Sequence, residues 1–194
     1  MRTSETDPIR VDFLAPTDLG LPGRLGLTIA PGKRDPFGHW ERDLASDLQR
    51  LRNHYQVDCL VSLMEAPEYE ALGVADLPER AEEQGISVRL FPIRDVDAPP
   101  PAAMSRFLEL IRGIVEDLRA GRTVVIHCRG GLGRSGLVAA SCLVALGHRP
   151  EEAIWRLRAA RPGAVEVVAQ ERWVEKVAEA LSAEDRPADG RVDR

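Results

Sequence analysis

Apolar positions along the chain follow two rhythms that alternate from end to end. Short, nearly continuous runs rich in β-branched residues have the length of strands. They lie near Arg10–Leu14 and Arg24–Ile29, then at Val57–Leu63, Ile86–Ile93 and Thr123–Ile126. Between them, apolar residues recur every third or fourth position, as on one face of a helix. Leu44, Leu48, Leu51 and Tyr55 mark a helix over Arg42–His54, and Phe107, Leu108, Ile111, Ile114, Val115 and Leu118 mark one over Ala102–Arg119. A helix over Leu77–Gln84 is bracketed by Asp76 before it, Pro78 in its first turn and Gly85 after it. Glu68–Leu72 reads as a short helix or a turn. Leu137–Leu146 is apolar nearly all round, which predicts a buried helix, and further helices follow at Pro150–Ala160 and Val168–Leu181.

Pro31–Pro36 reads as a loop, and Pro99–Pro101 stiffens the approach to the helix that starts at Ala102. Strands alternating with helices predict a single α/β domain, its mostly parallel central sheet covered by helices on both faces. The domain is expected to span residues 9–183, after a polar and loose N-terminus at 1–8. A charged tail, 184–194, is expected to be disordered. No repeat, linker or second domain interrupts the pattern.

The 194 residues suffice for one domain with a sizeable core. A net charge of −5 suggests no general affinity for nucleic acid or membrane. The three cysteines, Cys59, Cys128 and Cys142, are an odd number without a secretory signal, which predicts reduced thiols and a cytoplasmic location. Cys59 lies in a strand pattern and Cys142 in the buried helix, so both read as core, and spacing alone does not pair either with Cys128. No Cys/His cluster has metal-ligand spacing.

The candidate chemistry lies where the Thr123–Ile126 strand meets the buried helix, in the run His127-Cys128-Arg129-Gly130-Gly131-Leu132-Gly133-Arg134-Ser135-Gly136. Glycines let this backbone turn tightly and approach a ligand. Amide N–H groups at the helix start then face an anion favoured by the helix dipole. Residues 129–134 are therefore expected to bind phosphate, with Arg134 adding a planar two-pronged grip. Helix N-termini and nearby cations favour the thiolate form of a cysteine, so Cys128 is expected to be a nucleophile. Ser135 is placed to stabilise the thiolate as it leaves in a second step, and His127 to orient the loop through its ring nitrogens. The run lacks the G-x-G-x-x-G of a dinucleotide site and the G-K-[ST] of a Walker loop. The bland alternative, a buried cysteine beside an ordinary turn, explains neither the arginine six positions on nor the strand and helix on either side. Arg156, Arg158 and Arg161 are read as a solvated helix face.

His127-Cys128-x5-Arg134-Ser135 resembles the signature of the cysteine-dependent tyrosine and dual-specificity protein phosphatases. From Thr123 to about Leu181 the chain is most similar to the kinase-associated phosphatase (cyclin-dependent kinase inhibitor 3) group. From about Pro22 to Pro99 the similarity is weaker and rests on the order of elements and on Pro92-Ile93-x-Asp95. This resemblance implies a phosphatase fold and a cysteinyl-phosphate intermediate, with no cofactor and no metal. It also implies an aspartate from another loop as general acid: Asp95 matches the position, and Asp97 is the alternate. It further implies a late-loop glutamine that positions water. Gln170 stands at one such place, where ordinary helix-start hydrogen bonds are an equal reading, and Glu166 replaces a glutamine at the other.

The implied substrate is a phosphoprotein acted on by a monomer, with no nucleic-acid or membrane partner and no kinase partner identifiable. A phosphoinositide or RNA 5′-phosphate is the alternative substrate, although the loop has no lysine. A catalytically weak phosphoprotein-binding module is a further alternative, and a rhodanese-like sulfur carrier fits the motif less well than phosphate chemistry does.

Overall fold

The computed structural model of the protein describes residues 1–184. In chain order the elements are β1 (Asp12–Phe13), α1 (Pro16–Leu19), β2 (Arg24–Thr28), β3 (Arg34–Asp35), β4 (Trp40–Glu41), α2 (Leu44–Asn53), β5 (Cys59–Ser62), α3 (Ala66–Ala71), α4 (Leu77–Glu83), β6 (Ser87–Leu90), α5 (Met104–Arg119), β7 (Thr123–His127), α6 (Gly133–Ala145), α7 (Pro150–Ala160) and α8 (Val168–Glu184).

Five strands form the main sheet in the order β1-β2-β7-β5-β6, parallel throughout except for the antiparallel edge strand β1. The central strand β7 is buried at every position, as expected of a parallel strand covered on both faces. Its side chains alternate between two cores. Val124 and Ile126 join the cluster formed with α5, α6, α7 and α8, while Val125 joins the cluster formed with α2 and α4. The expected single α/β domain with a mostly parallel sheet is the architecture observed. In the register His127 lies opposite both Thr28 and Ser62, so three strands end level and the chain leaves β7 at the carboxyl edge of the sheet. Such an edge is where open α/β sheets bind ligands.

Several local features differ from the pattern-based reading. The four-residue α1 is too short to show a helical period. The segment read as a loop at Pro31–Pro36 contains β3, which pairs with β4 in a small second sheet; two-residue strands have no alternation to detect. The first residues, expected to be loose, lie along this hairpin: the Arg2 N–H donates to His39 C=O at 2.7 Å, and Glu41 N–H donates to Arg2 C=O at 3.0 Å. A buried ion pair anchors the region. Arg42 donates to both oxygens of Asp47 at 2.7 and 2.8 Å and to the Asp7 carbonyl at 2.7 Å, while Gly32 N–H donates to the same Asp47 at 2.9 Å. The helix α8 runs three residues beyond its expected end, to Glu184; the rest of the tail expected to be disordered lies outside the described residues. Among the described residues no helix is long and apolar enough to cross a membrane.

Candidate active site

The loop between β7 and α6 is held from three sides. Helix α6 begins at Gly133, four residues earlier than its apolar run, so Arg134 and Ser135 belong to its first turn. Gly136 N–H already bonds the Leu132 carbonyl, whereas the N–H groups before it have no partner in their own helix. Gly131 has a left-handed φ of 68°, and a Cβ there would overlap the Thr28 carbonyl at the end of β2. Only glycine meets both conditions. Gly133 is closed in by the side chains of Glu166 and Gln170, and Gly136 by the Val165 backbone.

Cys128 sits at the floor of this turn with 3% of its surface exposed. Its Sγ accepts the Gly131 N–H at 3.2 Å and lies 3.6 Å from Ser135 Oγ. Cys59 and Cys142 are also free and buried, and burial pushes both thiols up, out of the range of a ready nucleophile.

Arg134 is the largest fully buried side chain among the described residues. Its guanidinium donates to both carboxylate oxygens of Glu68, at 2.5 and 2.7 Å, and to the carbonyls of Ile93 at 3.0 Å and Leu63 at 3.4 Å. Asp95 reaches the same group, with Oδ1 2.9 Å from Nη2. A cation taken from water needs this density of partners. Burial disfavours ionisation of Glu68, but the bonds from Arg134 and the Glu65 N–H outweigh it and hold its carboxyl below the usual range. Arg134 Nε has no hydrogen-bond partner among the described residues.

Asp95 and Asp97 point in different directions. The half-exposed Asp95 carboxylate meets Arg134, whereas that of Asp97 accepts the Ala98 N–H at 2.8 Å. Between them Val96 has a φ of 57°, a costly conformation for a β-branched residue. Pins on both sides hold it: the Asp95–Arg134 pair, and the Asp97 carbonyl, which accepts Gln170 Nε2–H at 3.2 Å. Gln170 is fully buried, and its Oε1 accepts the N–H groups of Glu166 at 2.9 Å and Val167 at 3.4 Å. Its amide therefore ties the acid loop to the start of α8. Glu166, expected to be unhelpful beside a phosphate, is exposed and does face the loop at Gly133.

Three expectations need correction. The ring nitrogens of His127, expected to orient the loop, form no hydrogen bonds of ordinary geometry among the described residues. Burial pushes this histidine down to about 4, against a partial counter-effect of the Cys128 backbone, so the ring is neutral at neutral pH. The side chain of Arg129, expected in the phosphate-binding set, turns to Asp35 on β3 at 3.1 Å. That bond, with the Gly38 N–H, holds the Asp35 carboxyl low. Finally, the three arginines read as a solvated face are engaged, and two of them, Arg161 and Arg158, brace the site. Arg161 bonds the carbonyls of Gly130 and Gly131 and the carboxylate of Asp12. Arg158 holds the Ala164 and Val165 carbonyls at 3.0 and 2.9 Å, and Arg156 pairs with Glu152 and Asp18.

Sequence reasoning missed Glu68, which lies 66 positions from the arginine it holds, and also Lys33, a buried lysine 3.7 Å from Asp35. Burial pushes the Lys33 amine down. Neither residue belongs to a local motif, so only the folded chain shows its role.

A buried thiol and a buried arginine on one strand–loop–helix turn, at the carboxyl edge of a parallel sheet and beside a carboxylate from another loop, define a cysteine-dependent phosphatase. The family described as "Polymorphic toxin system, DSP-PTPase phosphatase" matches residues 39–148. Human cyclin-dependent kinase inhibitor 3 is 30% identical over 182 residues, covering 92% of this chain and 83% of that protein. A kinase-associated phosphatase solved with its catalytic-site cysteine replaced by serine superposes with a TM-score of 0.82 at 27% identity, over 90% of this chain and 97% of that one. A phosphatase termed Tk-PTP, solved in its active form, gives 0.67 at 30% identity over 87% and 96% of the two chains. The chain belongs to the dual-specificity and tyrosine phosphatase family, and it is a cysteine-dependent protein phosphatase.

Proposed function

We propose that Cys128, Arg134, Asp95 and Ser135 carry the hydrolysis of phosphotyrosine, and of phosphoserine or phosphothreonine, in a protein substrate. Cys128 Sγ attacks phosphorus, the ester P–O bond breaks, and the departing oxygen takes a proton from the Asp95 carboxyl. Arg134 and the amides of residues 129–134 hold the equatorial oxygens. Water then attacks the cysteinyl phosphate and gives its proton to the Asp95 carboxylate. The P–S bond breaks, its electron pair stays on Cys128 Sγ, and the Ser135 hydroxyl donates a hydrogen bond to the emerging thiolate. The observation that carries this reading is the convergence of Asp95, at 2.9 Å, on Arg134 in the first turn of the helix that follows the Cys128 loop. It favours Asp95 over Asp97, whose carboxylate is engaged within its own loop.

Gln170 acts in this reading by clamping the acid loop, because its amide already bonds Asp97, Glu166 and Val167. Arg129 contributes its backbone to the cradle. The names of the relatives tie them to kinases; for this chain the partner carried forward is a phosphoprotein, met by a monomer in the cytoplasm. The free thiols of all three cysteines support a reducing compartment.

The test is a series of aryl phosphates and phosphopeptides. Cys128→Ser should abolish turnover while keeping phosphopeptide binding. Asp95→Asn should slow esters with poor leaving groups far more than those with good ones. Turnover by Cys128→Ser at the wild-type rate would overturn the mechanism, and a larger loss from Asp97→Asn would reassign the acid.

A further inference from the structure

Beside the acid loop a groove of about 620 Å³ runs between Pro92–Pro101 and the first half of α8, over Trp173. Its walls carry Arg94, Arg172 and Lys176, all exposed. None of these three cations has an ion-pair partner within 4.0 Å among the described residues, although seventeen ion pairs link other side chains. The acids of the same groove are Glu65 and Asp97. Glu65 is the N-cap of α3, and the Asp97 carboxylate accepts the Ala98 N–H. In a protein of net charge −5 this is a local collection of uncommitted positive charge. It adjoins the reaction centre, because Arg94 directly precedes Asp95 and the Ile93 carbonyl bonds Arg134.

We propose that this groove binds acidic side chains flanking the phosphorylated residue of a protein substrate, so that the enzyme selects phosphosites in acidic sequence. The inference rests on the phosphoprotein reading given above. Charge complementarity identifies the occupant: carboxylates meet three cations of which two, on α8, lie four positions apart and so share a helix face. A groove running along Pro92–Pro101, beside the acid loop, suits an extended peptide whose phosphorylated residue enters the Cys128 loop. The cations are exposed, so each adds a modest amount and selectivity is salt-sensitive.

The test compares phosphopeptides identical except for Asp or Lys on either side of the phosphorylated residue, with a small aryl phosphate as control. Wild type should show kcat/KM roughly five- to tenfold higher on the acidic peptide at low salt, and the ratio should shrink as salt rises. The double reversal Arg172→Glu with Lys176→Glu should abolish or invert the preference and leave aryl phosphate turnover within about twofold. Equal kcat/KM on the two peptides, or a preference that survives the double reversal, would overturn the inference while leaving the phosphoprotein reading intact. Turnover of the aryl phosphate or of inositol phospholipid vesicles with none of any phosphopeptide would overturn both.

Discussion

Replacing Glu68 by Gln keeps the side chain's shape and removes its charge beneath Arg134. The Arg134 side chain is 1% exposed and its guanidinium donates to both Glu68 oxygens at 2.5 and 2.7 Å, so the variant leaves a buried cation with one good neutral acceptor in place of a carboxylate. Breaking a buried pair in this way costs about 3–5 kcal/mol. The Ile93 and Leu63 carbonyls and Asp95 remain, which reduces the expected loss to about 2–3 kcal/mol. For a chain of 194 residues that is a fall in Tm of roughly 5–10 °C.

Activity should fall as well, because the guanidinium would turn away from the loop; kcat/KM on an aryl phosphate is expected to drop about tenfold or more. The effect has a pH signature. The Glu68 carboxyl is held below its usual 4.5, so its stabilisation is complete above that value and is lost as pH falls through the lower, folded value. The Tm gap between wild type and Glu68→Gln should therefore be constant near neutrality and close in acid. Thermal unfolding across that range, with kcat/KM at pH 7, measures both. A variant within about 2 °C of wild type at pH 7 and equally active would refute the claim that Glu68 holds Arg134 in place.

Two other perturbations follow from the geometry. Gly131→Ala adds a Cβ at a φ of 68° against the Thr28 carbonyl; it should lower Tm by several degrees and activity by roughly a hundredfold, whereas Gly130→Ala, with nothing within 4 Å of its added Cβ, should be tolerated, and equal effects of the two would count against the packing argument. His127 is buried neutral, its pKa moved from 6.5 to about 4, so folding stability due to this group is present above pH 6.5 and is lost as pH falls through the interval to about 4, by roughly 3 kcal/mol; urea unfolding of wild type and His127→Gln from pH 7 to 4 should give curves of different slope, and parallel curves would show that the burial has no such consequence.

How much of the site is readable from the chain depends on how far apart its parts lie. Cys128, Gly131, Arg134 and Ser135 fall within eight consecutive positions, where strand, glycine turn and helix start follow from local periodicity and backbone freedom. Asp95 was reachable only through a resemblance on a second segment, since a loop aspartate has no distinguishing pattern of its own. Glu68, Lys33 and Arg161 had no local signal. Arg161, just after α7, shows the limit most clearly: spacing on a helix end cannot distinguish a solvated cation from one that reaches across to brace a loop some thirty positions away. The same holds for His127, whose place beside Cys128 suggested hydrogen bonding, whereas its buried ring has no hydrogen-bond partner of ordinary geometry among the described residues.

The sequence by itself determined the alternation of strands and helices, and with it a parallel sheet buried on both faces, because apolar periodicity is a local consequence of side-chain geometry. It also carried the proposed nucleophile, Cys128, and its glycine-rich loop, because the chemistry proposed there requires residue types at fixed short spacing. Only the tertiary structure decided which carboxylate holds Arg134, which aspartate approaches it, and that Gln170 binds the acid loop to α8. Those contacts join segments dozens of residues apart, and they form only when the level ends of β2, β5 and β7 bring their loops to one edge of the sheet.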